Sequence, residues 1–326
     1  MKSLAVVGAS GMVGKAMLQV LEEYKIPFEN LYLFGSSSAG KKVEFYGRTF
    51  TIEELTPSSF DRGIDIALFS AGGGVSKKYA PIAAEKGCVV IDNSSAWRMD
   101  PDVPLVVPEV NPEEIKKHKG IIANPNCSTI QAVVALNPLH MAFNIKRVIY
   151  STYQSVSGAG VPGVSDLERT AKGEAPQHFI YPIADNCIPH IDVFDSDGYT
   201  YEEIKMINET RKIMNAPEMQ ITATTVRVPV SVGHSETINV TFKKAFEVAD
   251  VRRILKDAPG VKVMDDTSKN IYPTPRETKG TDDVYVGRIR RDFSAENSLN
   301  LWVVADNVRK GAAANTVQIA KILMGI

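Results

Sequence analysis

Short apolar runs and amphipathic stretches alternate along the first 125 residues. Residues 4–7 form an apolar run that stops at a glycine, which predicts a buried strand. Residues 15–24 then place Met17, Leu18 and Leu21 on one face at helical spacing, and residues 31–34 form a second strand-like run. Further runs at 65–69, 88–91 and 120–123, with helical stretches near 75–86 and 112–117, continue the rhythm. Strands alternating with helices predict a doubly wound parallel sheet covered by helices. The rhythm changes after Cys127: a helix from about 128 to 143 leads into 146–153, and longer β-rich stretches follow at 219–228, 237–243, 284–291 and 299–304. That half predicts an α+β domain with a largely antiparallel sheet. Residues 173–198 are loop-like, yet they carry Phe179, Ile180 and Tyr181 and are expected to pack against something. The expected division is 1–126, joined by a returning C-terminal helix at about 307–326, and 127–306.

Length and charge narrow the function. A chain of 326 residues is about two domains at roughly 150 residues each, and 44% apolar residues can build a core in both. With 37 Lys+Arg against 38 Asp+Glu the formal net charge is −1, so no global field exists to hold nucleic acid or an acidic membrane surface. No apolar run approaches the roughly 18 to 20 residues needed to cross a bilayer, and the N-terminal apolar stretch is too short for a signal peptide. A cytoplasmic protein without a membrane or nucleic-acid partner is expected. Three cysteines, Cys88, Cys127 and Cys187, have no metal-ligand spacing, so neither a disulfide framework nor a metal site is expected.

Between the first strand and the first helix lies Gly8-Ala9-Ser10-Gly11-Met12-Val13-Gly14, a Gly-x-x-Gly-x-x-Gly loop. Glycines there allow a tight turn and close backbone approach, and the amides opening a helix bind a pyrophosphate. An NAD site usually carries an acid at the end of the second strand. Here the chain reads Gly35-Ser36-Ser37-Ser38-Ala39-Gly40-Lys41-Lys42, whose hydroxyls and lysines suit a 2′-phosphate and so favour NADP(H).

Cys127, in Asn124-Pro125-Asn126-Cys127-Ser128-Thr129, sits where a strand ends and a helix begins. A helix N-terminus stabilises a thiolate, and its amides can hold an oxyanion. Cys88 lies in a buried-strand pattern and reads as inert, while Cys187 has no evident activating context. His234, in Val232-Gly233-His234-Ser235-Glu236, interrupts two strands and is the best base; His118 looks solvated after two lysines, and spacing alone does not choose firmly among His234, His140, His178 and His190.

The glycine loop, Asp92-Asn93-Ser94-Ser95-Ala96-Trp97-Arg98, Asn124 to Thr129, Gln154-Ser155-Val156-Ser157-Gly158-Ala159-Gly160, and Arg227-Val228-Pro229 through Gly233-His234 run in register over nearly the whole chain. Together they resemble the aspartate-β-semialdehyde dehydrogenases. The resemblance implies a Rossmann-type domain and a catalytic, dimerising domain that reduce L-aspartyl-4-phosphate to L-aspartate 4-semialdehyde with NADPH. Inorganic phosphate is released on the route to lysine, methionine, threonine and diaminopimelate. It implies Cys127 as nucleophile, forming a thioester that is reduced to a thiohemiacetal, with His234 as acid/base and Gln154 holding substrate and sulfur in line. Arg98 matches the phosphate-binding arginine, Arg227 the clamp for the α-carboxylate, Glu202 the acceptor of the α-ammonium and Lys205 a phosphate-binding lysine. Without the resemblance, Glu202 and Lys205 read as a solvated ion pair, with Glu203 easily confused for Glu202. Cofactor contacts implied are Gly8, Ser10, Gly11, Met12, Val13, Gly14, Ser37, Ser38, Ser157, Gly158 and Gln318, and a homodimer built on the second domain's sheet is implied as well.

Three rivals remain. An N-acetyl-γ-glutamyl-phosphate reductase shares the fold and thioester logic, but its substrate has no free α-ammonium to match an acid at Glu202. A thiol hydrolase or amidotransferase would use Cys127 and His234 with no redox step, and a nucleotide-sensing module would bind NADPH without turnover.

Overall fold

The computed structural model describes residues 1–326, which divide into two compact units, Met1–Asn126 with Ala312–Ile326, and Cys127–Gly311. The first unit runs β1 (Lys2–Val7), α1 (Met12–Glu23), β2 (Phe28–Gly35), β3 (Lys42–Phe45), β4 (Arg48–Glu54), β5 (Ile66–Phe69), α2 (Gly73–Glu85), β6 (Val89–Asp92) and β7 (Ile121–Ala123). The second contains α3 (Cys127–Phe143), β8 (Ile145–Gln154), α4 (Gly160–Thr170), α5 (Tyr201–Ile213), β9 (Gln220–Arg227), β10 (His234–Phe242), α6 (Val248–Asp257), β11 (Val261–Val263), α7 (Pro275–Thr278), β12 (Val284–Arg291) and β13 (Ser298–Ala305). α8 (Ala314–Met324) closes the chain and belongs to the first unit.

In the first unit the strand order is β3-β4-β2-β1-β5-β6-β7, parallel except for the β3–β4 hairpin. Every residue of β5 is buried, as a strand covered on both faces requires. Leu4 and Val6 of β1, Met17 and Leu21 of α1, and Val317 and Ile319 of α8 share one core, so the C-terminal helix supplies part of this unit's interior. β1 has β2 on one side and β5 on the other, which makes its carboxyl end the topological switch point where open α/β sheets take their ligands. The segment at 112–117 is a short 3-10 turn instead of an α-helix, with only Ile115 buried to anchor it. The β3–β4 hairpin answers to no expectation above. Its turn, Tyr46-Gly47, has both residues left-handed (φ 49° and 66°), the geometry of a two-residue type I′ hairpin.

The second unit's sheet runs β11-β12-β13-β10-β8-β9. Its centre is antiparallel, while both edge strands pair in parallel. α3 packs over the sheet and against α5 and α6. Its residues Ser128 to Leu136 are all buried, as expected of a helix that is apolar nearly all round. α6, which is not among the elements predicted above, buries only Val251 and Leu255, a single i, i+4 pair. The opposite face of the sheet carries half-exposed Trp302 and exposed Tyr153, with ring centroids 5.7 Å apart. In the 173–198 segment, Phe179 packs against the cluster of Val156, Ile183 and Ile188, while Ile180 and Tyr181 stay exposed. Asp166 of α4 pins this segment by accepting the N–H groups of Gln177, His178 and Phe179 at 2.7–2.8 Å. Burial pushes its carboxyl up, but these three bonds hold it below its ordinary value.

Candidate active site

Cys127 is itself the first residue of α3, one position earlier than the helix was expected to begin, and no acid occupies the first turn. Its thiol therefore stands at the positive end of the helix. Gly311 lies against it: a Cβ on Gly311 would come 2.7 Å from Cys127 Cβ, so this position admits no side chain without displacing Cys127. The other thiols differ. Cys88 is buried, and that burial pushes its thiol up to about 12; Cys187 is exposed.

The end of β8 and the starts of β10 and α5 converge within the same unit. Gln154, the last residue of β8, is buried; its Oε1 accepts from Thr152 Oγ1 (3.0 Å) and its Nε2 donates to Glu202 Oε1 (3.1 Å). Glu202 and Glu203 divide their work at the start of α5. Glu203 closes a capping box with Thr200 and accepts the N–H of Thr225, which makes it a structural residue. Glu202 instead faces Gln154, and Lys205 Nζ approaches its Oε2 at 3.4 Å while pairing with Asp192 at 2.6 Å. The reading of Glu202 and Lys205 as a solvated pair is corrected here: the Glu202 side chain is 7% exposed. Asp192 was not foreseen, since nothing in its sequence neighbourhood marks it.

Arg227 ends β9 directly beside Gln154 in the parallel register. It is buried; Nη1 donates to the Ser155 carbonyl at 2.8 Å, and the guanidinium stands 5.9 Å from the Phe179 ring. Burial pulls its pKa down, opposed by the negative charges of Glu202 and Cys127, which places the three groups in one electrostatic neighbourhood. A cavity of about 180 Å³ opens at Arg227, lined also by Phe179, His178, His190 and Asp192.

His234 is fully buried as the first residue of β10; the polar interruption expected around it is confined to residues 228–233. Its Nδ1 accepts the N–H of Ser155 at 3.0 Å, with Ser155 Oγ also 3.0 Å away, whereas the buried Nε2 has no partner. A nitrogen that accepts a backbone N–H carries no proton, so the neutral ring bears its hydrogen on Nε2, where no protein atom accepts it. Burial, then the charge of Arg227, holds the ring well below the ordinary histidine range, against a hydrogen bond at Gly233. Asn307 frames this arrangement: its Oδ1 accepts from Gly233 N (2.9 Å), Ser155 Oγ (3.0 Å) and Ser157 Oγ (3.1 Å). Asn307 and Ser155 were missed as positioning residues because their partners lie up to 152 positions away. Ser157 spends its hydroxyl in the same network. Gly158 sits between two site residues: a Cβ there would be 2.7 Å from Arg227 Nη1 and 3.3 Å from His234 Nε2.

The remaining histidines separate from His234. His118, expected to be solvated, is half-buried and accepts the Gly120 N–H; His140 accepts the Ile145 N–H. His178 and His190 pack on Phe179 and Phe194.

The first unit holds the nucleotide-type features. Gly8 has φ +87°, and a Cβ there would overlap the Ser70 carbonyl; one on Gly14 would overlap the Gly8 carbonyl. α1 follows with Gly11 as N-cap and no capping side chain, so the loop is a cradle sized for backbone approach to an anion. At the end of β2, Ser36, Ser37, Lys41 and Lys42 are exposed, but Ser38 is buried with its hydroxyl turned onto Gly35. Gln318 donates to Glu109 at 3.1 Å. Arg98 is buried, with Nε donating to the Asn124 carbonyl (3.0 Å) and Nη2 to the Asn93 carbonyl (2.9 Å), a fixed orientation for its fork. No cluster of histidine, cysteine and acid side chains that could hold a metal is present, and no helix is long and apolar enough to cross a membrane.

Residues 3–118 match the family model described as semialdehyde dehydrogenase, NAD binding domain, and residues 136–310 match semialdehyde dehydrogenase, dimerisation domain. The chain is 55% identical over 331 residues to the aspartate-semialdehyde dehydrogenase of Aquifex aeolicus, covering 98% of this chain and 97% of that one. The crystal structure of aspartate semialdehyde dehydrogenase II complexed with ASA from Vibrio cholerae superposes with a TM-score of 0.94 at 46% identity, covering 100% and 98% of the two chains. The Candida albicans aspartate semialdehyde dehydrogenase with NADP superposes at 0.79 with 29% identity, covering 99% of each.

Proposed function

The chain belongs to the aspartate-semialdehyde dehydrogenase family, and on that premise we infer that it interconverts L-aspartyl 4-phosphate and L-aspartate 4-semialdehyde with NADP(H), using Cys127 as the acyl-carrying thiol. The observation that carries the reading is His234: a buried ring, pinned at Nδ1, whose Nε2–H has no partner and lies in one cluster with Arg227, Gln154 and Glu202.

The Cys127 thiolate attacks the acyl carbon, the bond to the phosphate oxygen breaks, and a thioester to Cys127 remains. When bound, the cofactor supplies the hydride that reduces that thioester. The resulting thiohemiacetal oxyanion collapses by expelling the Cys127 thiolate and leaving the aldehyde. His234, with its imidazolium disfavoured and its Nδ1 occupied, works as a neutral Nε2–H donor to the developing oxyanion. Arg227 suits the α-carboxylate and Glu202 the α-ammonium, and Gln154 between them aligns the acyl carbon. Lys205 and Arg98 are the proposed phosphate ligands. The Gly8 to Gly14 loop, with Ser10, Gly11, Met12 and Val13, would hold the pyrophosphate, Ser37 and the neighbouring lysines the 2′-phosphate; Ser38, Ser157, Gly158 and Gln318 remain proposed contacts. The two units are proposed to act as cofactor-binding and catalytic domains, the second pairing with a second copy through its sheet. Activity in the cytoplasm is proposed with them.

The test is a steady-state assay following reduced nicotinamide, with aspartate semialdehyde, phosphate and NADP+ beside the N-acetylated glutamate analogue. Turnover of the aspartate compound is expected. Preference for the analogue would overturn the substrate, and a buried acid at Glu202 is the feature that argues against that outcome.

A further inference from the structure

Glu236 is fully buried on β10, two residues from His234 and on the same face of the strand, with Thr152 of β8 and Val303 of β13 as its cross-strand neighbours. Neither of its carboxyl oxygens has a hydrogen-bond partner. The same is true of Oε1 of Gln131, which lies on α3 close enough to act on the Glu236 carboxyl, while Gln131 Nε2 points to the backbone carbonyl of His234 at 3.4 Å. Three buried oxygens without a donor form an arrangement that native structures rarely leave unresolved. One proton settles two of the three, because a carboxylic acid can give its O–H to Gln131 Oε1 and leaves only an uncharged carbonyl oxygen without a donor.

We propose that Glu236 is a positioning residue of this reaction: as a neutral carboxylic acid it donates to Gln131 Oε1 and so holds the Gln131 amide on the His234 carbonyl, fixing the start of β10. The proposal rests on His234 being the oxyanion donor. Through Gln131 the acid sets where the His234 ring stands without touching the substrate itself. The charged and titratable groups around Glu236 agree with a neutral state. From α5 comes Glu202, which is negative; from β8 comes the buried phenol of Tyr150, which is hydrogen-bonded to Thr210; α3 offers only the Gln131 amide, and β13 only Val303. An ionised Glu236 would stand next to another carboxylate with no cationic partner to compensate it. Burial and Glu202 both raise its pKa well above the ordinary glutamate range, against the pull of Gln131.

Glu236→Gln and Glu236→Leu in the full chain test this. The glutamine keeps a neutral donor of the same shape, so its kcat is expected within about threefold of the parent. The leucine leaves Gln131 Oε1 unpaired and is expected to lower kcat about tenfold or more, with KM for the semialdehyde nearly unchanged. Two readouts need no turnover. Infrared spectroscopy at neutral pH should show a protonated carboxyl C=O band in the parent that disappears in Glu236→Gln. The raised pKa gives the sign of the second: the acid's stability is whole below the unfolded value of about 4.3 and drains as pH rises toward the folded value. The Tm advantage of Glu236→Gln over the parent should therefore be larger at pH 8 than at pH 5. A pH-independent Tm difference, the absence of the infrared band, or a leucine variant with parental kcat would each overturn the assignment. Loss of kcat in Glu236→Gln with the band present would overturn the positioning role alone. These spectroscopic and thermal results stand whether or not the substrate is the one proposed.

Discussion

Gly158→Ala isolates how closely the site depends on Arg227. The residue has no left-handed backbone angle, so alanine carries no conformational penalty there, and the effect must come from what the added methyl meets. That methyl would lie 2.7 Å from Arg227 Nη1, against about 3.5 Å for an unstrained contact, so the guanidinium has to withdraw by about 0.8 Å. The withdrawal pulls on the 2.8 Å bond to the Ser155 carbonyl, and Ser155 in turn supplies the N–H that pins His234. A misplacement of about 1 Å at a substrate clamp costs about 100-fold in rate, which is about 2.7 kcal/mol of lost transition-state stabilisation. The same methyl stands 3.3 Å from His234 Nε2 and crowds the oxygen that this nitrogen is proposed to receive. The expected result is a fall in kcat/KM for aspartate semialdehyde of several tens to about 100-fold, with Tm lowered by only a few degrees. Cofactor affinity, measured by fluorescence titration with NADPH, should change little if the contact with Arg227 governs the outcome. A variant with parental kcat/KM but weakened NADPH binding would refute this reasoning and leave Gly158 as a cofactor contact only.

Cys127→Ala should abolish thioester formation while keeping NADPH binding, and mass spectrometry after acyl phosphate without cofactor should find the parent's adduct on Cys127. Cys88, whose thiol is pushed up to about 12, should remain unmodified. The pH profile of kcat/KM should show no limb near the ordinary histidine value of about 6.5, since burial holds His234 neutral well below it; an inflection there that vanishes in His234→Gln would contradict the neutral-donor role. The same depressed pKa means that His234 makes the fold less stable as pH falls below about 6.5, so His234→Gln should flatten the decline of Tm on the acid side. Ser37→Asp should weaken NADPH binding more than NADH binding, because an exposed carboxylate at the end of β2 repels a 2′-phosphate. Ser38 is the poorer probe, as its hydroxyl is packed onto Gly35 and a change there disturbs the turn itself.

Much of the fold follows from patterns that act over a few residues. The strand at β1 and the glycine turn after it are local, and so is the face of α1 that buries Met17, Leu18 and Leu21. Where the reading fell short, the local signal was weak or misattributed. No strand is predicted between Lys42 and Asp65, although Lys42–Phe45 and Arg48–Glu54 flank Tyr46-Gly47, a usable hairpin signal. A helix that buries two side chains, as α6 does, offers little periodicity to detect.

The site divides along the same line. Cys127 was legible because helix-start chemistry is written in adjacent residues, and the family motifs carried Gln154, Arg227 and His234. The residues that fix their geometry were not legible, because each works across the fold: Asn307 on Ser155 and Gly233, Asp166 on the backbone of 177–179, Asp192 on Lys205, Gln131 on His234. Each carries an ordinary polar side chain whose role comes from its long-range partner. The groups proposed to react are thus few and locally marked, while the protonation state and aim of the proposed donor, His234 Nε2–H, are set by a shell of such distant residues. A histidine in the same sequence motif but without Ser155 N–H on Nδ1 could carry its proton on the wrong nitrogen, and the motif alone would not reveal the difference.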